Sequence, residues 1–286
     1  MSTAIPSSDD TPDKIENSAF PGQKTLILAV ETSSRIGSVA LAFENRLIEE
    51  SIFASPMQHS AEIFPAIQNL LAGQGLAPKD IGQLHIAIGP GSFTGLRIAV
   101  AMAKTMHLAQ GTPIVTVDSL DVVAANLGPG TGESIDRTMP HIPELPNRIA
   151  ALFDAKRGQF YVSIYDRVPA QTDVSENPGD PDYRIPAQGG GMWLKIHPAS
   201  LLTAREIVEG FGEKAPLGVV GDGLLYHLEE FTREGIVVLP KSVWSPRAAN
   251  VHRLGWQKAQ LRRFADPLAL TPFYLRGPQV TLKRKL

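Results

Sequence analysis

The chain of 286 residues contains no cysteine. That absence removes disulfides, thiolate nucleophiles and cysteine-based zinc sites together, and it fits a reducing compartment. Long apolar runs are missing as well. The longest fall well short of a membrane span and are broken by charge, and the opening "MSTAIPSSDDTPDKIENSAFPGQK" has no apolar core for a signal peptide. The expectation is a cytoplasmic protein with no membrane association. An excess of basic charge is also absent: 27 Lys and Arg face 29 Asp and Glu, a net charge of −2. A stand-alone nucleic-acid module usually has the opposite balance, which argues against tight, independent binding of RNA or DNA. What remains is an ordinary globular composition, 43% hydrophobic, sufficient for a core in one large domain or two modest ones.

Along the chain, "KTLILAVETS" holds an apolar run, Leu26 to Val30, that reads as a strand buried on both faces. "SVALAF" and "RLIEESIF" follow across short turns and complete an antiparallel meander. "HSAEIFPAIQNLLAGQG" has Ile63, Ile67, Leu70 and Leu71 at helical spacing, with Pro65 expected to kink it. Strand "HIAIG", a long helix from Leu96 to Gln110 closed by Gly111, and strand "PIVTV" come next. Beyond a Gly/Pro-rich break, "RIAALFDAKRG" echoes the opening strand and "GQFYVSIYD" pairs with it. A strand near "MWLKIH", a helix after Ser200, strands "PLGVVG" and "GIVVLP" around a short helix, and a final helix in "SPRAANVHRLGWQKAQLRRF" complete the pattern.

The glycine-rich stretch "AIGPGSFTGLRIAVAMAKT" raises the question of phosphate binding. A P-loop needs Lys after its last glycine, and here Leu96 follows Gly95; the dinucleotide fingerprint and the nucleophile elbow also fail, so Ser92 has no activating context. Backbone N–H groups at a helix start form an anion site in principle, with Arg97 the nearest cation. The plainer reading is favoured: the glycines let a strand turn sharply into a tightly packed helix. That helix is apolar nearly all round. One face covers the sheet, and the other needs the neighbouring helix or a second chain.

The segments "LAVETSSRIGSVAL", "HSAEIFPAIQNLL", "IAIGPGSFTGLRIAVAMAK", "VTVDSLDVVA", "FDAKRGQFYVSIY", "VVGDG" and "PFYLRG" occur in the order found in the TsaB (YeaZ) family, which the chain resembles from about residue 25 to about 277. The GPGSFTGLR segment is the specific one. The resemblance implies the α/β fold of the actin-like ATPase and sugar kinase superfamily (ribonuclease H-like), with two subdomains, each a mixed sheet opened by an antiparallel meander. The chain divides into an N-terminal subdomain at 24–118 and a C-terminal subdomain at 119–246; a Ser-, Asp-, Pro- and Thr-rich leader at 1–23, expected to be disordered, and a flexible insert near 167–191 lie outside the resemblance. A final helix returning to the first subdomain, plus a basic tail, occupies 247–286.

The resemblance implies a non-catalytic scaffold in the complex that installs threonylcarbamoyladenosine on tRNA. Its partners would be a TsaD-like transferase, paired as a dimer, and a TsaE-like ATPase, with tRNA met indirectly and self-association when isolated. No cofactor is expected on this chain, although ATP or ADP is admitted at the partner interface. Catalytic and metal residues are expected to be none. Glu31, at the end of the first strand, and Gly221, Asp222 and Gly223, where the superfamily keeps an adenosine-side turn, are weak nucleotide-binding candidates. A turn whose Thr and Ser hydroxyls cap backbone groups is the competing reading of Glu31-Thr32-Ser33-Ser34. Asp154 is expected to pair with Lys156 and Arg157. His59 stands where TsaD-like proteins carry the first histidine of a metal pair, but Ile63 replaces the second, so His59 with Ser60 is read as a helix cap. The partner interface is assigned to Ile63, Phe64, Ile67, Leu71, Ala99, Met102 and Met106. Rival functions are an ATP-dependent phosphotransferase or ATPase, and a metallopeptidase-like protein.

Overall fold

A computed structural model describes residues 25–129, 142–172, 184–213 and 215–276. The expected leader, residues 173–183 of the expected insert, and the basic tail with Lys283, Arg284 and Lys285 lie outside the described residues.

β1 (Leu26–Glu31), β2 (Ser38–Phe43) and β3 (Arg46–Ile52) form the antiparallel meander, turning at Glu44 and Asn45. α1 (His59–Gly73) runs unbroken through Pro65. β4 (Ile81–Ala87) then pairs parallel to β1, and β5 (Ile114–Val117), reached through α2 (Phe93–Gln110), pairs parallel to β4. The first sheet therefore has the order β3-β2-β1-β4-β5. After α3 (Ser119–Ala124), the same plan is repeated. β6 (Arg148–Asp154), β7 (Gln159–Val168) and β9 (Met192–Thr203) are antiparallel, and the two-residue β8 (Ile185–Pro186) flanks β9. α4 (Ala204–Phe211) leads to β10 (Leu217–Val220), and α5 (Leu224–His227) precedes β11 (Ile236–Val238); β10 lies parallel to β6 and β11 to β10. The second sheet reads β11-β10-β6-β7-β9-β8, so β6 has the place that β1 has in the first. The echo between the two halves of the sequence is thus a repeated topology.

Alternation along each strand sorts the core into two layers, because successive side chains point to opposite faces. Leu26, Leu28 and Val30 of β1, Val39 and Leu41 of β2, and Leu84 and Ile86 of β4 pack under α1 and α2. On the reverse face the strands present smaller groups, Ala29, Ala40 and Ala87, and these join the core of the second lobe. α6 (Ala248–Gln260) covers that face, with Ala248, Val251 and Leu254 buried. Each strand of β1, β2 and β4 is therefore buried on both sides, as a near-continuous apolar run requires.

Some boundaries differ from the sequence reading for local reasons. α2 begins at Phe93, ahead of Leu96, because the Ser92 hydroxyl accepts from Gly95 N at 3.4 Å and caps the first turn. It ends at Gly111, whose left-handed φ of 72° closes the helix. β9 continues to Thr203, and only there does a capping box with Glu206 start α4. "SLDVVA", unassigned in sequence, becomes α3 because the Asp118 carboxylate accepts from Leu120 N at 2.8 Å. Among the described residues, no helix is long and apolar enough to cross a membrane.

Candidate functional site

Two concave features stand out, a cleft between the lobes and a groove between α1 and α2. The cleft, about 440 Å³, opens where β1 and β6 end. Ser33, Ser34 and Arg35 of the β1–β2 loop and the start of α2 line one wall; Asp154, Lys156, Tyr161, Asp222 and Tyr226 line the other.

The glycine-rich loop ends against this wall, and the structure gives its purpose. A Cβ on Gly95 would sit 1.9 Å from the Thr32 carbonyl oxygen, and one on Gly91 2.2 Å from that of Ser33. Ser33 O accepts from Ser92 N at 2.7 Å, and the Thr32 hydroxyl donates to Gly95 O at 2.8 Å. The loop's glycines are spent on backbone-to-backbone packing against the end of β1. The remaining hydroxyls are occupied too: Ser34 donates to Ile36 O at 3.1 Å, and Ser33 donates to Glu31.

Glu31 is fully buried. Its Oε1 accepts from both the backbone N and the hydroxyl of Ser33 at 2.5 Å, while Oε2 has no hydrogen-bond partner among the described residues. Burial raises its pKa from 4.5 to about 7, the Ser33 hydrogen bonds opposing and the nearby Asp222 charge adding. Asp222 accepts from Arg35 N at 3.2 Å, and burial pushes its carboxyl up to about 6. Gly221 and Gly223 sit against Leu152 and Asp154 of β6, so the glycines of this turn pack closely on a strand, as those of the other loop do. Asp154 is held by Lys156, whose backbone N and Nζ both donate to it at 2.6 Å.

His59 is not a helix cap. The cap position belongs to Gln58, which makes no side-chain cap bond, and His59 is buried with Nε2 donating to Ser34 O at 2.9 Å. It buttresses the β1–β2 loop from behind. Burial depresses its pKa, so the ring is neutral. The helix start is tied instead by Glu62, which accepts from Ala54 N and Ser55 N at 2.6 and 2.9 Å. Among the described residues, no group of three or more His, Cys, Asp and Glu side chains is arranged to hold a metal ion.

The second feature is an apolar groove of about 560 Å³ on the outer face of the first lobe. It divides the seven residues assigned to the interface. Phe64, Ile67, Met102 and Met106 line it, Phe64 being 54% exposed while Ile67 and Met102 are largely buried. Ile63, Leu71 and Ala99 do not: they are turned inward and buried in the core beneath α1 and α2. Helical spacing identifies residues that share a side but not which stripe faces the sheet, and α2 carries two apolar stripes. Ile98, Ala101 and Ala109 line the groove as well; their spacing along α2, Ala101 and Ala109 one turn and Ile98 two turns from Thr105, is the available signal. Arg35 and Tyr226, brought together in the cleft from distant parts of the chain, left no local signal at all.

Comparison with known proteins adds the following. Residues 53–178 match the family model described as "TsaD: tRNA N6-adenosine threonylcarbamoyltransferase". The tRNA threonylcarbamoyladenosine biosynthesis protein TsaB of Bacillus subtilis is 37% identical over 139 residues, covering 49% of this chain and 54% of that protein. The protein of the same name from Escherichia coli is 30% identical over 141 residues, covering 49% of this chain and 55% of its own. The chain thus spans about half the length of the curated relatives it matches. In fold, the solved YeaZ from Pseudomonas aeruginosa superposes with a TM-score of 0.64 at 21% identity, over 88% of this chain and all of that one.

Proposed function

Taking as premise the TsaB/YeaZ family, which the curated relatives and the solved fold support, we propose that this chain is a non-catalytic partner subunit of the machinery that installs threonylcarbamoyladenosine on tRNA. The observation that carries the reading is the apolar groove between α1 and α2, with Phe64 left 54% exposed at it. A TsaD-like transferase docks there, forming a heterodimer through the two helices, and a TsaE-like ATPase joins the pair. The tRNA is met through the assembly, in keeping with the chain's slight negative charge. Without its partner, the same groove covers itself by self-association. No cofactor belongs to this chain, and ATP or ADP bound by the complex lies at the partner boundary. The working compartment is the cytoplasm.

The chemistry of the cleft supports the same division of labour. The Thr32, Ser33 and Ser34 hydroxyls are spent on backbone carbonyls and on Glu31, and Asp154 is paired with Lys156, so these groups serve the protein's own backbone and side chains. The match to the transferase family model favours one rival, that this chain itself transfers the group. Against that rival stands position 63, where a buried isoleucine occupies the place of a second metal-binding histidine. Co-purification from cells tests the proposal. A tagged wild-type chain brings a TsaD-like protein with it, and Ala101→Glu, a charge in the groove at an exposed position, does not. Capture by both proteins alike would remove the groove from the account.

A further inference from the structure

The two lobes are joined at their base by α6, whose Asn250 Nδ2 donates to Asn126 Oδ1 at 2.6 Å and whose Ala248 N donates to Ser38 Oγ at 2.8 Å. The shared apolar core and the Lys195–Asp118 ion pair at 3.1 Å tie the same side, which leaves the far side of the cleft as the edge at which it would open. Two arginines cross the gap there, from opposite ends of the sequence.

Arg35 extends from the β1–β2 loop to the second lobe. Its backbone N donates to Asp222, its guanidinium carbon lies 5.1 Å from the centre of the Tyr226 ring, and its Nη1 donates to the Tyr226 hydroxyl. Lys156 approaches the same ring at 5.7 Å, so the tyrosine is flanked by one cation from each lobe. The second crossing is made by the chain after α6. Ala265 N donates to Ile114 O at 2.8 Å and Phe273 N to Ile88 O at 2.7 Å, laying residues 265–274 along the ends of β4 and β5. Tyr274 packs against Phe93, the rings tilted with centres 5.0 Å apart, and accepts from Arg97 Nε at 3.2 Å. Arg276 then leaves the first lobe: Nη1 donates to Ala155 O at 2.7 Å and Nη2 to Gln159 Oε1, both on the β6–β7 hairpin.

We infer that the segment 265–276 is a strap, and that Arg276 and Arg35 are the two pins that hold the inter-lobe cleft at one fixed width. They add attachments at the open edge of the cleft to those at its base, which removes hinge rotation as a free motion. Opening the cleft requires breaking the Arg276 pair of hydrogen bonds and lifting Arg35 from Tyr226 together. The consequence is a rigid body in which the α1–α2 face and the second lobe keep a constant relation. This goes beyond the docking proposal and does not depend on it.

The absence of native cysteine makes the test clean. Lys79→Cys on the first lobe and Glu229→Cys on the second, both at exposed positions, take spin labels whose separation is read by pulsed dipolar spectroscopy. The otherwise wild-type chain gives one narrow distance distribution. Arg276→Ala broadens it, and Arg276→Ala with Arg35→Ala adds a second population at a different distance, while circular dichroism stays that of a folded protein. Gln159→Ala removes an Arg276 acceptor without touching the strap and broadens the distribution in the same direction. A broad distribution in the starting protein, or a narrow one retained in the double variant, overturns the inference.

Discussion

Glu31→Gln is a perturbation whose sign depends on pH. The carboxyl is fully buried, and burial raises its pKa from 4.5 to about 7 against the pull of two hydrogen bonds from Ser33. A carboxyl with a raised folded-state pKa contributes its full stability below the unfolded value and loses it as pH rises through the folded one. The window is therefore roughly pH 4.5 to 7. Each pKa unit corresponds to about 1.4 kcal/mol, so the ionised carboxylate costs at most about 3 kcal/mol by pH 8. Glutamine keeps the oxygen that accepts from Ser33 and does not ionise. The variant should match wild type near pH 4.5 and exceed it at pH 8 by up to about 3 kcal/mol. Urea unfolding of both proteins at each pH gives the difference directly. A stability difference that does not change with pH, or one that falls toward pH 8, refutes the reasoning.

The other perturbations follow from packing and burial. Gly95→Ala puts a methyl 1.9 Å from the Thr32 carbonyl and should cost about 3 kcal/mol, read as a lowered melting temperature. His85 and His252, stacked at 5.9 Å in the core, are depressed by burial to about 3 and about 4. Their stability is present above the ordinary histidine value of 6.5 and lost as pH falls toward 4, so His252→Gln should flatten the decline of unfolding free energy between pH 6 and 4. Phe64→Glu and Ala101→Glu, on the open groove, should change unfolding free energy by no more than about 0.5 kcal/mol. Ala99→Glu, at a fully buried position, should cost several kcal/mol and yield little folded protein, as thermal melts of the purified chains would reveal.

The fold was legible where local chemistry and global position agree. The apolar run of β1, the turns beside β2, Gly111 at the end of α2 and the repeated meander are all written in short stretches, and the structure uses each of them. The function of the glycine loop was legible as packing, though not what it packs against, since Thr32 and Ser33 lie about sixty residues earlier in the chain. Misreadings arose where one pattern serves two geometries. Ile63, Leu71 and Ala99 share helix faces with groove residues, and only the tilt of α1 and α2 over the sheet decides which side each faces. His59 precedes an apolar helix as a cap would, yet its ring turns inward to Ser34, a contact set by tertiary packing. The arginine pins were invisible for the same reason: Arg35 meets Tyr226, and Arg276 meets Gln159, only once both lobes exist.

The central claim is that this chain contributes a docking face and that the chemistry is done elsewhere. The most direct measurement is the threonylcarbamoyladenosine content of tRNA in cells that lack the native protein and carry either Phe64→Glu, Ala101→Glu or Glu31→Gln, each first checked to be folded. The account predicts that both groove variants lose the modification while Glu31→Gln retains it. Loss of modification in Glu31→Gln, with normal levels in both groove variants, would place the chemistry on this chain and contradict the account.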